Sequence, residues 1–587
     1  MPRTGRQPQA ADPTAGMFCR GHNRTDRAGG RSPAPIGAPS APSQRKNRES
    51  DMTKGITNWT ASDDRMVENA IKAGATRRDL LRMFMAGGVA LAAGGTIIGR
   101  ATAALAATPV RGGHFIAAAV QGSTADTLDP AKASAQIDYT RICALYNRLT
   151  FLNGQGGIDM ELADSVESDD ARTWTVKLKQ GVTFHDGKTL DSGDVVFSLN
   201  RHLDESVGSK VNALAKQMAE IKAVDPSTVQ ITLATANADL PTILAMHHFM
   251  IVAAGTTDFS KGNGTGAFVL ESFEPGVKSL MKRNENYFKP GGAHVDSFEY
   301  FAIPDPTARV NALISGDIHV AASIKPQSLR LIEAAGGIDA VKNTSGNYTN
   351  LNMRLDMAPG DKTGFIEGVK LLLNRELIQK SVARGVAEIA NDQPVSPADR
   401  YFNPELKARD YDPEKAKALF DKAGLLGQTI PVVASDAADY SVEMATVLQQ
   451  SASEIGMNFD IQRMPADGYW SKYWLKAPVH FGNINPRPTP DILFSLLYTS
   501  DAPWNESQFR NEKFDAMVAE ARGLLDEARR KEIYAECQQI VSDQAGTAIP
   551  VWLSNMDGVS QKVQGFQTNP LGGQMGYAMA EYVWLAQ

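Results

Sequence analysis

The chain has 587 residues, 43% of them apolar, with 60 Lys and Arg against 66 Asp and Glu. This is ordinary globular composition, which excludes a disordered, collagen-like or disulfide-scaffold chain, and the length calls for two or more lobes. Residues 1–107 carry a net charge of +8 and the remaining 480 residues a net −14, so the acidic main body excludes a binder of nucleic acid or anionic membrane.

Residues 1–50 are rich in Pro, Gly, Arg and Ser without hydrophobic periodicity. Residues 1–51 are expected to be disordered or untranslated, with Met52 as an alternative start. Residues 52–107 are expected to form an export region. Thr76-Arg77-Arg78-Asp79-Leu80-Leu81-Arg82 precedes an uncharged stretch from Met83 to Gly99, and Ala104-Leu105-Ala106 offers a small-residue cleavage site. Arg77 and Arg78 resemble a twin-arginine signal, and the Gly- and Ala-rich stretch is too weakly apolar for a good membrane anchor. Export to the periplasm by the twin-arginine route is expected, with cleavage near Ala106.

Downstream, Trp174-Thr175-Val176-Lys177-Leu178-Lys179 alternates as a half-exposed strand does. Asp191 is placed to cap a helix, with Asp194 three residues on and Val195, Val196, Leu199 and Leu203 at helical spacing. Thr228–Leu233 alternates as a second strand. Asp412-Pro413-Glu414 opens a helix with Ala416, Leu419 and Phe420 on its apolar stripe and Gly424 after its end. Residues 511–543 are helical, interrupted near Gly523. The mixture of strands and helices without a repeat period indicates α/β or α+β architecture.

Catalytic and metal motifs are missing from the sequence. Gly181–Gly187 has one residue too many between its glycines for a phosphate loop, and Asp191 and Asp194 follow it. Gly262–Gly266 is expected to be a turn. His247 and His248 would point to opposite faces of a strand. Cys19, Cys143 and Cys537 are too scattered for a metal knuckle; a Cys143–Cys537 bridge needs Cα atoms within about 7 Å, and buried free thiols are the expectation.

The segment Asn485-Pro486-Arg487-Pro488-Thr489-Pro490-Asp491 is the candidate ligand site. Its alternating prolines stiffen the loop and remove backbone donors. Arg487 and Asp491 sit on that strip, with Tyr498 and Trp504 shortly after. A rigid arginine beside aromatics suits a polar ligand, through paired hydrogen bonds and stacking. A surface loop with a structural Arg–Asp pair is the alternative. The candidate binding residues are Asn485, Arg487, Asp491, Tyr498 and Trp504; no catalytic residue, metal ligand or cofactor is expected.

The chain resembles the family 5 extracellular solute-binding proteins, the dipeptide, oligopeptide and nickel class of ABC importers. The resemblance rests on Leu128-Asp129-Pro130, Tyr146-Asn147-Arg148-Leu149, the block Trp174 to Gly187 with Asp194-Val195-Val196-Phe197-Ser198, Gly264 to Phe268, Asn286-Tyr287-Phe288, Tyr411 to Lys417 and Ala548 to Trp552. It implies an α/β, two-lobed periplasmic-binding-protein fold of the large, cluster C-like kind, with a hinge of two crossing strands and an interlobe ligand cleft. Lobe I would hold 108–302 plus 549–587, and lobe II 303–548. The implied partners are a small polar solute of peptide, opine or oligosaccharide class and the ABC permease membrane subunits. The protein would act as a monomer and not as an enzyme; an exported enzyme or a metal or metallophore carrier is the alternative. Two departures bear on the solute. Pro486 falls where peptide-binding relatives place an Asp for the α-amino group, and Val369-Lys370-Leu371-Leu372 stands where relatives often have Val-Arg-x-Ala.

Overall fold

The computed structural model describes residues 109–154, 156–569 and 572–586, all within the unit Ala103–Gln587. The expectations for Cys19, Arg77, Arg78, Ala106 and the first 51 residues lie outside the described residues.

A mixed sheet forms the spine. Its strands run in the order Asn458–Arg463, Thr429–Ala434, Val479–Ile484, Ile338–Met353, Val551–Ser560, Val320–Ala321, His114–Ala119, Ser297–Ala302, Lys278–Arg283 and Phe268–Glu274. At its centre the 16-residue strand Ile338–Met353 lies antiparallel to Val551–Ser560. The pairing runs from Ile338 opposite Ser560 to Tyr348 opposite Trp552, with a register shift between Thr344 and Asn347. The extra residues Ser345 and Gly346 make a bulge there, and Gly346 takes a positive φ of 69°. A bulge bends its strand and strengthens the local twist.

A separate antiparallel sheet orders Ala163–Glu167, Thr173–Leu178, Thr228–Leu233 and Met218–Asp225. The alternation read from the sequence is what pairs here. Trp174, Val176 and Leu178 face the core with Val229, Ile231 and Leu233, and Trp174 stands opposite Ile231. The apolar cluster beneath, from Leu149 to Ala253, is distinct from the cluster under His114–Ala119.

The expected helix starts form for the expected reasons. Asp191 accepts from the amides of Gly193 and Asp194, and the Asp194 carboxylate accepts from the Asp191 amide, so Ser192–Arg201 opens with a reciprocal cap. Asp412 accepts from the Lys415 amide at the start of Pro413–Lys422. The interruption near Gly523 divides Glu512–Gly523 from Glu527–Gln544, and Asp526 caps the second helix. Cys143 and Cys537 are free, buried and in different cores. His247 and His248 lie in a single 3-10 turn, not on a strand, and their Nε2 atoms contact the carbonyl oxygens of Gly576 and Ala133. Lys370 is fully buried, and its ammonium donates to the carbonyls of Ser542 and Ala545, at the C-terminal end of Glu527–Gln544. A cation there complements the helix dipole and satisfies otherwise orphaned carbonyls. Among the described residues no helix is long and apolar enough to cross a membrane.

A candidate ligand cleft

The strand Val479–Ile484 ends where Ile484 pairs with Tyr348, and the proline-rich strip begins at once. Pro486, Pro488 and Pro490 cannot donate, so the ladder stops. Thr489 Oγ1 then accepts from the Ile492 amide at 3.2 Å and starts the helix Pro490–Leu497. Arg487 is held between two rigid elements. Its Nη1 donates to the carbonyls of Asn485 and Pro486 at 3.0 and 3.1 Å, and its guanidinium lies over the Trp504 ring at 5.7 Å. Among the described residues no carboxylate pairs with it. Burial pushes its pKa down, because a charge removed from water without a counter-charge is disfavoured.

Arg487 lines a cavity together with Pro486, Pro488 and Thr489 of the strip, Thr242 beside the four-stranded sheet, and Ser345 and Gly346 of the strand bulge. Asp399, Arg400 and Tyr401 close another side. The Arg400 guanidinium stacks over Tyr401 at 4.9 Å and lies 3.7 Å from Glu527. Asp399 accepts from the Tyr401 amide at 2.8 Å, and burial pushes its carboxyl up to about 6. The cavity therefore offers two guanidiniums and one carboxyl whose pKa is raised by burial. It leaves about 50 Å³ for solvent, room for a few waters rather than a solute. A ligand would enter only after its walls separate.

Arg530, which donates to the hydroxyl of the cavity-lining Tyr401, lies 2.7 Å from Asp239, and both side chains are buried. The Ala238 amide donates to the Arg522 carbonyl at 2.7 Å beside them. Among the described residues no group of three or more His, Cys, Asp or Glu side chains is placed to hold a metal.

The five sequence candidates divide. Arg487 lines the cavity, and Trp504 supports it while meeting Trp474 edge-on at 5.5 Å. Asn485 is exposed and serves Arg487 through its carbonyl. Asp491 points away; its carboxylate accepts from Arg522 Nε at 2.9 Å, so the local Arg–Asp pair has Arg522, not Arg487, as its cation. Tyr498 is buried in the apolar core beside Phe494. Sequence reasoning missed Asp399, Arg400 and Tyr401, and also Glu506, whose carboxylate accepts from Trp474 and Asn350. Nothing in the spacing of these residues marks them.

The sequence profile for bacterial extracellular solute-binding proteins, family 5 (middle), matches residues 157–506. The chain belongs to this family. This solute-binding protein is 27% identical over 474 residues to the dipeptide-binding protein of Escherichia coli (strain K12), covering 73% of this chain and 87% of the relative. Among solved structures it resembles a periplasmic binding protein of Helicobacter pylori in complex with the peptide STSA, with TM-score 0.65, 21% identity, and 81% and 99% of the two chains covered. It also resembles the binding protein AgaA of A. tumefaciens R10 in complex with agropinic acid, with TM-score 0.63, 22% identity, and 81% and 99% covered. The fold is the two-lobed α/β fold of the large periplasmic binding proteins. The protein is accordingly an extracellular solute-binding protein of bacterial type.

Proposed function

We propose that this protein captures a carboxylate-bearing, peptide-like solute between its lobes and presents it to the permease, with Arg487 as the clamp for the carboxylate. The observation that carries this reading is Arg487 itself: a half-buried guanidinium on a proline-stiffened strip, lining the cavity, with no carboxylate of its own. A planar fork fixed in this way is preorganised for two-point recognition of a carboxylate. Arg400 adds a second cation and Trp504 a stacking face. The similar dipeptide-binding protein and the similar binding protein in complex with agropinic acid fit the same chemistry.

The lobe division at 108–302 plus 549–587 and 303–548 goes with this reading, with one adjustment. Val320–Ala321 pairs in parallel with His114–Ala119, which favours a crossover at the bulge between Thr344 and Asn347. Hinge bending there would open the small cavity. Export by the twin-arginine route, with cleavage near Ala106, is part of the same proposal. Loss of periplasmic protein on changing Arg77 and Arg78 to Lys, and an amino terminus near Thr108 by mass spectrometry, are the expected results; export of the double variant at the normal level would refute that route.

The deciding experiment is a thermal-shift screen of residues 108–587 against dipeptides, tripeptides, opines, neutral oligosaccharides, polyamines and nickel chelates. A ligand at 100 times its dissociation constant stabilises the folded state by about 2.7 kcal/mol. Hits among carboxylated solutes that vanish in Arg487→Met are expected. Hits confined to neutral sugars, polyamines or nickel chelates would overturn the proposal.

A further inference from the structure

Glu506 follows the Arg487–Trp504 contact by two residues and is buried in a setting without a cation. Its Oε1 accepts from the Trp474 indole N–H at 2.6 Å, and its Oε2 from the Asn350 amide at 2.6 Å. Both donors are neutral, and among the described residues Glu506 forms no ion pair. The strand Ile338–Met353 presents Tyr348, Asn350 and Asn352 to this region. The short helix Tyr469–Lys472 presents Tyr469, and the end of Pro490–Leu497 presents Tyr498. Burial and the Glu506 charge raise all three tyrosines, which stay neutral. His480, next but one to Gly482, is held neutral near 4 by burial, with Nδ1 against the Ala477 carbonyl. Gly482 stands opposite Asn350, and a Cβ on it would overlap the Glu506 carboxyl. The strand has a glycine where this carboxyl needs room.

The contacts continue outward. The Trp474 ring that donates to Glu506 meets Trp504 edge-on, with centroids 5.5 Å apart and planes at 74°. Trp504 in turn carries the Arg487 guanidinium. We propose that Glu506 is a positioning residue: its protonation state sets the Trp474–Trp504 pair, and through it the shelf on which Arg487 rests, so that the clamp responds to pH. Ionised, the carboxylate is a strong acceptor that fixes the indole. Neutral, it is a weaker acceptor with a proton of its own to place, and the indole is freed. Burial pushes the Glu506 carboxyl up to about 7, which puts the change in the neutral range.

This inference rests on the reading of Arg487 as the clamp, but its test does not need a ligand. Mature protein labelled with 5-fluorotryptophan is titrated from pH 5.5 to 8.5 by fluorine NMR, with Trp474→Phe and Trp504→Phe assigning the two resonances. Both are expected to move with one midpoint near pH 7, and neither should move in Glu506→Gln. In Trp474→Phe, which keeps a ring and removes the N–H, the Trp504 resonance should stop titrating. Movement of Trp474 alone, or titration that persists in Glu506→Gln, would overturn the proposal. Arg487→Met should leave the Trp474 titration intact. If no carboxylated solute binds and the two resonances still titrate together, the functional reading fails and the coupling stands.

Discussion

Asp239 and Arg530 meet at 2.7 Å although they belong to different cores. The helix after Asp239 buries Leu240, Ile243 and Leu244 under the four-stranded sheet, whereas Arg530 lies on the helix that buries Ile533, Tyr534 and Cys537. Arg530 also donates to the Tyr401 hydroxyl at 2.9 Å and the Ala521 carbonyl at 3.0 Å, so its donors are well used. Removing one member of a buried pair leaves the other uncompensated, at a cost of about 3–5 kcal/mol. Asp239→Asn should therefore lower the urea midpoint strongly. Replacing both partners, Asp239→Leu with Arg530→Met, should recover much of that loss. A cost below about 1 kcal/mol for Asp239→Asn would mean that the pair is solvated and ties nothing together.

Features that depend on neighbouring residues were legible in the sequence. The reciprocal cap at Asp191 and Asp194, the Asp412-Pro413 start and the break at Gly523 all act within one helical turn, and all stand in the structure. Arg487 was readable because prolines on either side fix it. Its support by Trp504 was only a matter of short separation along the chain. Asp491 shows the limit: it is four residues from Arg487, yet it pairs with Arg522, which helix packing brings to it. Glu506–Trp474–Asn350 and Asp239–Arg530 are products of strand order and helix docking, and no local pattern encodes them.

Gly264 and Gly266 test how closely two backbone segments approach. The Gly266 amide donates to the Leu145 carbonyl at 2.9 Å, and a Cβ on either glycine would overlap the backbone around Leu145. A flexible side chain could move aside; this carbonyl is fixed at the end of Gln136–Leu145. Gly266→Ala should cost about 1–3 kcal/mol or more, as overpacking does. A melting temperature unchanged from the parent protein would show that the loop can retreat.

Arg487 should separate binding from stability. Its guanidinium is partly desolvated and has no carboxylate partner, so removing the charge relieves a penalty. Arg487→Met is expected to leave ligand-free stability unchanged or raise it by up to about 1 kcal/mol, while the ligand-induced thermal shift disappears. Arg487→Lys should not restore binding, because a point charge cannot offer the planar fork. A Lys variant binding as tightly as the parent would show that charge alone is read at this position.

The pH dependence of stability should carry the mark of Glu506. Its carboxyl, pushed up to about 7 in the folded protein, returns to an ordinary value of about 4.3 on unfolding. Between these values the folded state holds a proton that the unfolded state has released. Stability must therefore fall as pH rises through this window, by about 1.4 kcal/mol per unit at most. The contribution is fully present below about pH 4 and lost by about pH 8. Glu506→Gln keeps the shape and one accepting oxygen and does not titrate, although its NH2 then faces one of the two donors, Trp474 or Asn350. The variant should gain on the parent progressively from pH 5 to pH 8 in urea unfolding, where the difference between the two curves removes the slopes of Asp399 and every other group they share. A difference that stays constant across that range would place the Glu506 carboxyl at its ordinary value and remove the basis for a pH-responsive clamp.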